Sequence, residues 1–529
     1  MEFKFGGSAE NQKTVLGHPA GLFVLFFTEM WERFSYYGMR ALLVLFLTKS
    51  ILEGGWAWER ADALVLYGWY TGLVYLTPII GGFIADKFLG YRRAVVLGAF
   101  IMTLGHASMA LEGVTSMFFY LGLLCLIIGN GLFKPNISSM VGQLYKGQGK
   151  EKDAGYTIFY MGINAGAFLG ILLCGYIGEK IGWHFGFGLA GVFMFLGMLQ
   201  FYFAQKIFGK IGLSPNQTED FDNAIENTIE QVGEDVEDVI EEAESSHVVK
   251  DRMTVIGIFA LFTVFFWWAF EQAGGSMTIF AADYTDRALV GNAAMTFKII
   301  NTIITLVPML VITWVLAMLF KQTFGKFSMS NIWLGLSFVI IWGIVLWMLN
   351  REFQADATEV PASWFSVLNS LFIILFAPVF SKIWESKYNP SGPVKFAVGL
   401  LLVGLGFGIL AYGAMAIPDG AKTASVSLMF LVFAYLLHTL GELCVSPVGL
   451  SYVSKLAPVK LVGMMFGIWF VSNFLANLLG GLTGSYIDPI SEKYGLSTFF
   501  LIFTVIPIVA ALIMLALSPI IKKKMHGIK

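Results

Sequence analysis

Fourteen mainly apolar stretches, each close to the roughly 20 residues a helix needs to cross a bilayer, recur along the chain with mostly short polar breaks. They cover 19–50, 62–85, 94–111, 116–143, 155–178, 184–206, 253–282, 295–319, 331–349, 362–384, 394–415, 425–453, 461–486 and 496–521. Backbone polar groups in hydrocarbon must be paired inside the chain, and the ten-residue alternation of a membrane β-barrel is absent, so helices are the class these segments can adopt. The expectation is an all-α polytopic membrane protein. With 57% hydrophobic and 13% charged residues, the composition demands a surface that faces lipid. A net charge of −2 offers nothing to nucleic acid.

Lysine and arginine set the expected orientation. With the N-terminus inside, alternate loops on that side hold 23 of the 34 basic residues, the other side holds 8, and Arg33, Arg40 and Lys134 lie within spans. Both termini should therefore be cytoplasmic. Residues 1–18 are polar and show no cleavable leader pattern, so the first span should be retained. Cys125, Cys174 and Cys444 sit in apolar segments, which points to packing roles rather than disulfides.

The expected organisation is an N-terminal six-helix bundle over 1–206, a cytoplasmic linker over 207–252, and a second six-helix bundle over 253–529 that carries two additional helices at about 295–349. Between Glu219 and Glu244 the linker has twelve acidic residues and no basic one, with apolar residues every three or four positions. That pattern predicts an amphipathic helix with a solvated acidic face. Docking on the basic cytoplasmic loops, with an influence on gating, is the sharper reading.

The first span is the informative exception. "FFTEMWERFSYYGMRALLVLFL" carries Glu29, Glu32, Arg33 and Arg40, and at 100° per residue these fall with Tyr36 in an arc of roughly 100°. A charge at mid-bilayer costs about 2.5–3.5 kcal/mol on insertion scales, so such groups pair with each other or face a polar cavity. Lys134, Glu271 and Glu442 add charges to other spans, and one solvated path accounts for all of them better than separate structural ion pairs. Two carboxylates beside one guanidinium leave an excess negative charge when fully ionised, which favours uptake of a proton.

These residues also resemble a known family. "EMWERFSYY" at 29–37 is similar to the ExxERFxYY signature of the proton-dependent oligopeptide transporters, a branch of the major facilitator superfamily. "GGFIADKFLGYRR" at 81–93, "GNGLFKPN" at 129–136, "FYMGINAGAF" at 159–168, "FWWAFEQ" at 266–272, "SVLNSLFIILFAPVF" at 366–380 and "GELCVSPVGLS" at 441–451 match in order. The resemblance implies two six-helix bundles around a central cavity, with no cofactor and a proton gradient as the energy source. It assigns proton coupling to Glu29, Glu32 and Arg33. Peptide carboxylate binding falls to Arg40 and Lys134, and amino-terminus binding to Asn164, Asn369 and Glu442. Tyr36, Tyr37, Tyr75, Trp267 and Trp469 would shape side-chain pockets. The couples Arg40–Glu271 and Lys134–Glu442, each joining opposite bundles, would act as gates.

Two departures stand out. Animal members carry a second-helix histidine where this chain has Gly68, and none of the six histidines matches a proton role. The two additional helices fall at 295–319 and 331–349, within the second half, because 207–252 is too polar to supply them. Glycine strings such as "GFGLAG" at 186–191 lie inside apolar spans and predict close helix packing, not a nucleotide site. No HExxH, Walker A or GxSxG string occurs, which argues against a metalloprotease, an ATP-driven pump or a serine hydrolase. The expected function is proton-coupled symport of di- and tripeptides in a cytoplasmic membrane. A transporter of another small solute and a non-transporting peptide sensor are the alternatives.

Overall fold

The computed structural model describes residues 3–145, 149–214, 246–387, 389–457 and 462–527. The acidic segment 219–244 lies outside the described residues. Among the described residues, fourteen long helices account for the apolar stretches: α1 Ala20–Thr48, α2 Arg60–Ile84, α3 Tyr91–Met109, α4 Ser116–Gln143, α5 Lys150–Lys180, α6 Trp183–Ala204 and α7 Ser246–Phe270. The second half continues with α8 Gly291–Thr323, α9 Ser328–Gln354, α10 Val367–Glu385, α11 Gly392–Ala414, α12 Met429–Leu456, α13 Val462–Gly484 and α14 Leu496–Lys524. Among the described residues, eleven helical segments are long and apolar enough to cross a membrane by length and composition alone, and α1 is not among them because of its charges.

The span expected over 253–282 falls within one membrane-long helical segment, His247–Tyr284, whose backbone pattern changes part-way. The α-helix stops at Phe270, a 3-10 turn runs over Glu271–Gly274, and helix resumes at Ser276–Ile279. Gly274 and Gly275 supply the break. A β-carbon on Gly274 would fall 1.9 Å from the Tyr67 hydroxyl, so this backbone lies directly against α2.

Helices α1 to α6 pack on one another, with α1 seated against α5 and α6. Trp31 stacks on Phe193 at 4.7 Å and is fully buried, which fixes α1 on α6. Helices α7 and α10 to α14 form the second group, with α11 between α12 and α14. The glycine strings act as spacers: a β-carbon on Gly186 would meet Leu42 at 2.5 Å, and one on Gly406 would meet the His438 ring at 2.5 Å. Gly90 joins α2 to α3 at φ +74° against the backbone of Leu213 and Ser214, a place no other residue could fill without strain.

The additional pair, α8 and α9, makes specific contacts with the first group of helices. Along α9, Ser330 donates to the Gln200 carbonyl at 2.7 Å and Phe338 packs edge-on against Trp31. The pair thus leans on the first group of helices. Three two-residue β contacts close loops, pairing Thr14–Val15 with His18–Pro19, Thr285–Asp286 with Val426–Ser427, and Ala288–Leu289 with Thr358–Glu359.

The two groups meet most closely where α2 crosses α13. A β-carbon on Gly68 would lie 2.8 Å from the Gly481 α-carbon, so the backbones touch. This crossing lies toward the end where α1 finishes, termed the far end below; the opposite one is the N-terminal end.

Candidate functional site

A cavity of about 160 Å³ lies between the two groups of helices. From the first group it is lined by Tyr37, Arg40, Tyr75 and Asn164, and from the second by Trp267, Glu271, Asn369 and Glu442. The volume is below the roughly 300–1,000 Å³ usual for drug-sized ligands, so anything larger than a very small peptide requires the helices to part.

Arg40 is the cationic group on this wall. It pairs with Glu271, the first residue of the break in the seventh span, and its Nε donates to the Tyr67 hydroxyl at 2.7 Å. Across the cavity, Asn369 Nδ2 donates to Glu442 Oε2 at 2.9 Å and to Thr439 Oγ1 at 3.2 Å. Asn164 Nδ2 turns back to the Tyr160 carbonyl at 3.0 Å, one turn earlier on the same helix. The wall therefore offers a positive group on one helix group and a carboxylate with amides from both.

Glu29, Glu32 and Arg33 form a separate, buried cluster that does not line the cavity. Arg33 pairs with both carboxylates: Nη2 reaches Glu32 Oε1 at 2.7 Å and Nε lies 3.3 Å from Glu29 Oε1. Asn130 of α4 donates to Glu32 Oε1 at 2.9 Å, while Glu29 Oε2 has no hydrogen-bond partner among the described residues. Glu32 is thus saturated and Glu29 is not. A shared helix face did not put all four charges of the first span in one place, because the eleven steps from residue 29 to residue 40 rise about 16 Å along the axis.

Three further sequence expectations are altered. Lys134 forms no ion pair with Glu442; its ammonium lies 4.4 Å from the centre of the Tyr75 ring, and Glu442 is engaged by Asn369 instead. Trp469 is buried with its ring against Gly449 of α12 and does not line the cavity. Tyr36 is also buried outside the cavity wall, stacked near Tyr70 and under the Arg33 guanidinium at 5.1 Å. Conversely, the wall includes Tyr160, Ser366, Ser370, Tyr435 and His438, none of which the sequence reading singled out. A signal was available: Tyr160 precedes Asn164 by four residues, His438 and Tyr435 precede Glu442 by four and seven, and residues so spaced share a helix face.

Toward the far end the two groups are bound by further ion pairs. Arg60 at the start of α2 contacts Asp283 and Asp488 at 2.8 Å each and donates to the Tyr284 hydroxyl at 2.9 Å. Gln272 donates to the Gly480 carbonyl at 2.8 Å beside the glycine crossing of α2 and α13. No ion pair of this kind joins the groups below the cavity among the described residues.

Comparison with known proteins agrees with this architecture. A sequence profile of the POT family matches residues 92–347 and 337–500. The chain is 35% identical to an uncharacterized transporter YclF of Bacillus subtilis, covering 98% of this chain and 97% of that one. It is 32% identical to the peptide transporter YePEPT of Yersinia enterocolitica, with 97% of each covered, and 31% identical to a di-/tripeptide transporter of Lactococcus lactis subsp. cremoris, covering 98% and 99%. Among solved structures, a mutant peptide transporter POT in complex with alafosfalin aligns with a TM-score of 0.74 and 31% identity over 98% of both chains. The fold is that of the major facilitators with two helices added, and the family is one of transporters, not enzymes. Near-complete coverage at this identity means that the chain is a multi-pass membrane protein and belongs to the POT family.

Proposed function

We propose that this protein imports di- and tripeptides together with protons across a cytoplasmic membrane by alternating access, with both termini in the cytoplasm. The observation that carries the reading is the cavity wall, which presents Arg40 from one helix group and Asn369 with Glu442 from the other. A zwitterionic peptide needs a cation for its carboxylate and acceptors for its ammonium, and the tyrosine and tryptophan rings offer adaptable surface for variable side chains. Relatives bearing the names peptide transporter and di-/tripeptide transporter support that substrate class.

Proton coupling is assigned to Glu29, Glu32 and Arg33, whose two carboxylates share one guanidinium away from the cavity wall. Arg40–Glu271 closes the far, extracellular side. Lys134 and Glu442, apart in this conformation, would meet when the cytoplasmic side closes. The contact of Lys134 with Tyr75, a residue of the cavity wall, supports its assignment to the peptide carboxylate. No bound cofactor is needed, since the proton gradient supplies the energy.

The test is uptake of a labelled dipeptide into proteoliposomes. Accumulation driven by an inward proton gradient and abolished by a protonophore is the expected result. Specific binding without accumulation would instead identify a sensor, and uptake of nitrate in preference to peptide would identify a different cargo.

A further inference from the structure

A second, larger cavity of about 890 Å³ opens on the outer surface at the N-terminal end of the helices. Its floor is where α3 begins, α6 ends and the turn between α8 and α9 passes. Four basic side chains line it, Arg92, Arg93, Lys206 and Lys326, and among the described residues no carboxylate does. Arg92 is already committed, donating to the carbonyls of Gly209 and Ile211 and so holding the chain that leaves α6. Lys326 has only a loose contact with Glu10 at 3.7 Å, and Arg93 and Lys206 are exposed with no ion-pair partner among the described residues. The remaining wall is mostly apolar and open, with Leu97, Phe100, Phe203 and Met329 all exposed.

We propose that this groove binds one anionic phospholipid, its phosphate held by Arg93, Lys206 and Lys326 and its acyl chains laid along Leu97, Phe100 and Phe203. The two halves of the wall need one ligand with two chemistries. A free phosphate would satisfy the cations and leave the aromatic surface bare, whereas a neutral lipid would leave Arg93 and Lys206 uncompensated and Lys326 with only its loose contact to Glu10. Basic pockets between helices at the membrane surface suit anionic headgroups, each Lys or Arg there contributing about 1 kcal/mol. Because the groove joins α3 and α6 to the turn of the α8–α9 pair, a lipid seated there would bind that pair to the first helix group.

The experiment titrates detergent-purified protein with phosphatidylglycerol and counts retained lipid by native mass spectrometry, alongside the thermal unfolding midpoint. Wild type should retain one phosphatidylglycerol and be stabilised by it. The triple substitution Arg93→Gln, Lys206→Gln, Lys326→Gln should weaken retention by roughly tenfold or more. A control with Lys522→Gln and Lys523→Gln, exposed at the same end but outside the groove, should bind as wild type. Phosphatidylcholine should not be retained, and inorganic phosphate should not displace the lipid. Equal retention by the triple variant and wild type would overturn the proposal, as would an equal loss in the control, which would indicate general surface attraction. Displacement by inorganic phosphate would make this an anion site and not a lipid site. Should the triple variant fail to fold, Arg93→Gln and Lys206→Gln made singly must each weaken retention, or the assignment fails.

Discussion

Arg33 is held between two carboxylates of its own helix, and their surroundings differ: Glu32 also accepts from Asn130, whereas Glu29 keeps one oxygen without a partner. Replacing either by Gln retains shape and removes titration. On the proposed reading, Glu29→Gln and Glu32→Gln abolish proton-driven accumulation while peptide counterflow between loaded vesicles and medium persists, since the cavity residues are untouched. Intact accumulation in both variants would make the cluster structural, and loss of counterflow together with binding would make it part of the peptide site. Glu271→Gln removes the partner of Arg40, and breaking a buried pair costs about 3–5 kcal/mol. The far side should then open more often, read as faster labelling of a cysteine introduced above the cavity, with impaired transport. Unchanged labelling and unchanged transport would exclude Arg40–Glu271 as a gate.

At the scale of elements, the contact between α2 and α13 has no side chain at its centre. A methyl group at Gly68 would sit 2.8 Å from the Gly481 backbone, a distance that forces the helices apart. Overpacking of this kind costs about 1–3 kcal/mol, so Gly68→Ala should shift the population toward a far side that is open by roughly tenfold, again read by cysteine labelling. The same contact explains why a histidine, present here in animal relatives of the family, has no room at this position in the closed arrangement. The linker makes the opposite kind of prediction. None of its acidic residues matches a peptide-binding position, so replacing 219–244 by a neutral flexible segment of similar reach should leave peptide affinity within about twofold of wild type, by binding of a labelled dipeptide. A large loss in well-folded protein would give the linker a gating role.

For the whole molecule, ion pairs at the far end tie the two helix groups together on that side. Arg60 joins α2 to Asp283 and Asp488 at the far end, and Arg60→Gln should open that side and lower the unfolding midpoint modestly, since these partners are partly solvated. Much of this architecture was legible beforehand. Lipid as solvent enforces runs of about 20 apolar residues, so the fourteen helices and the polar interruption between α6 and α7 stand in the sequence itself, and ordered motifs such as "EMWERFSYY" and "GELCVSPVGLS" carry the family. Helical periodicity also states which residues share a face. It does not state their depth or what the neighbouring helix offers them. Only the tertiary structure therefore separated the Glu29–Glu32–Arg33 cluster from the cavity holding Arg40, brought Lys134 to Tyr75 instead of Glu442, and added His438 and Tyr160 to the wall. Those outcomes depend on contacts between residues far apart in the chain, where packing and burial, and not local spacing, choose the partner.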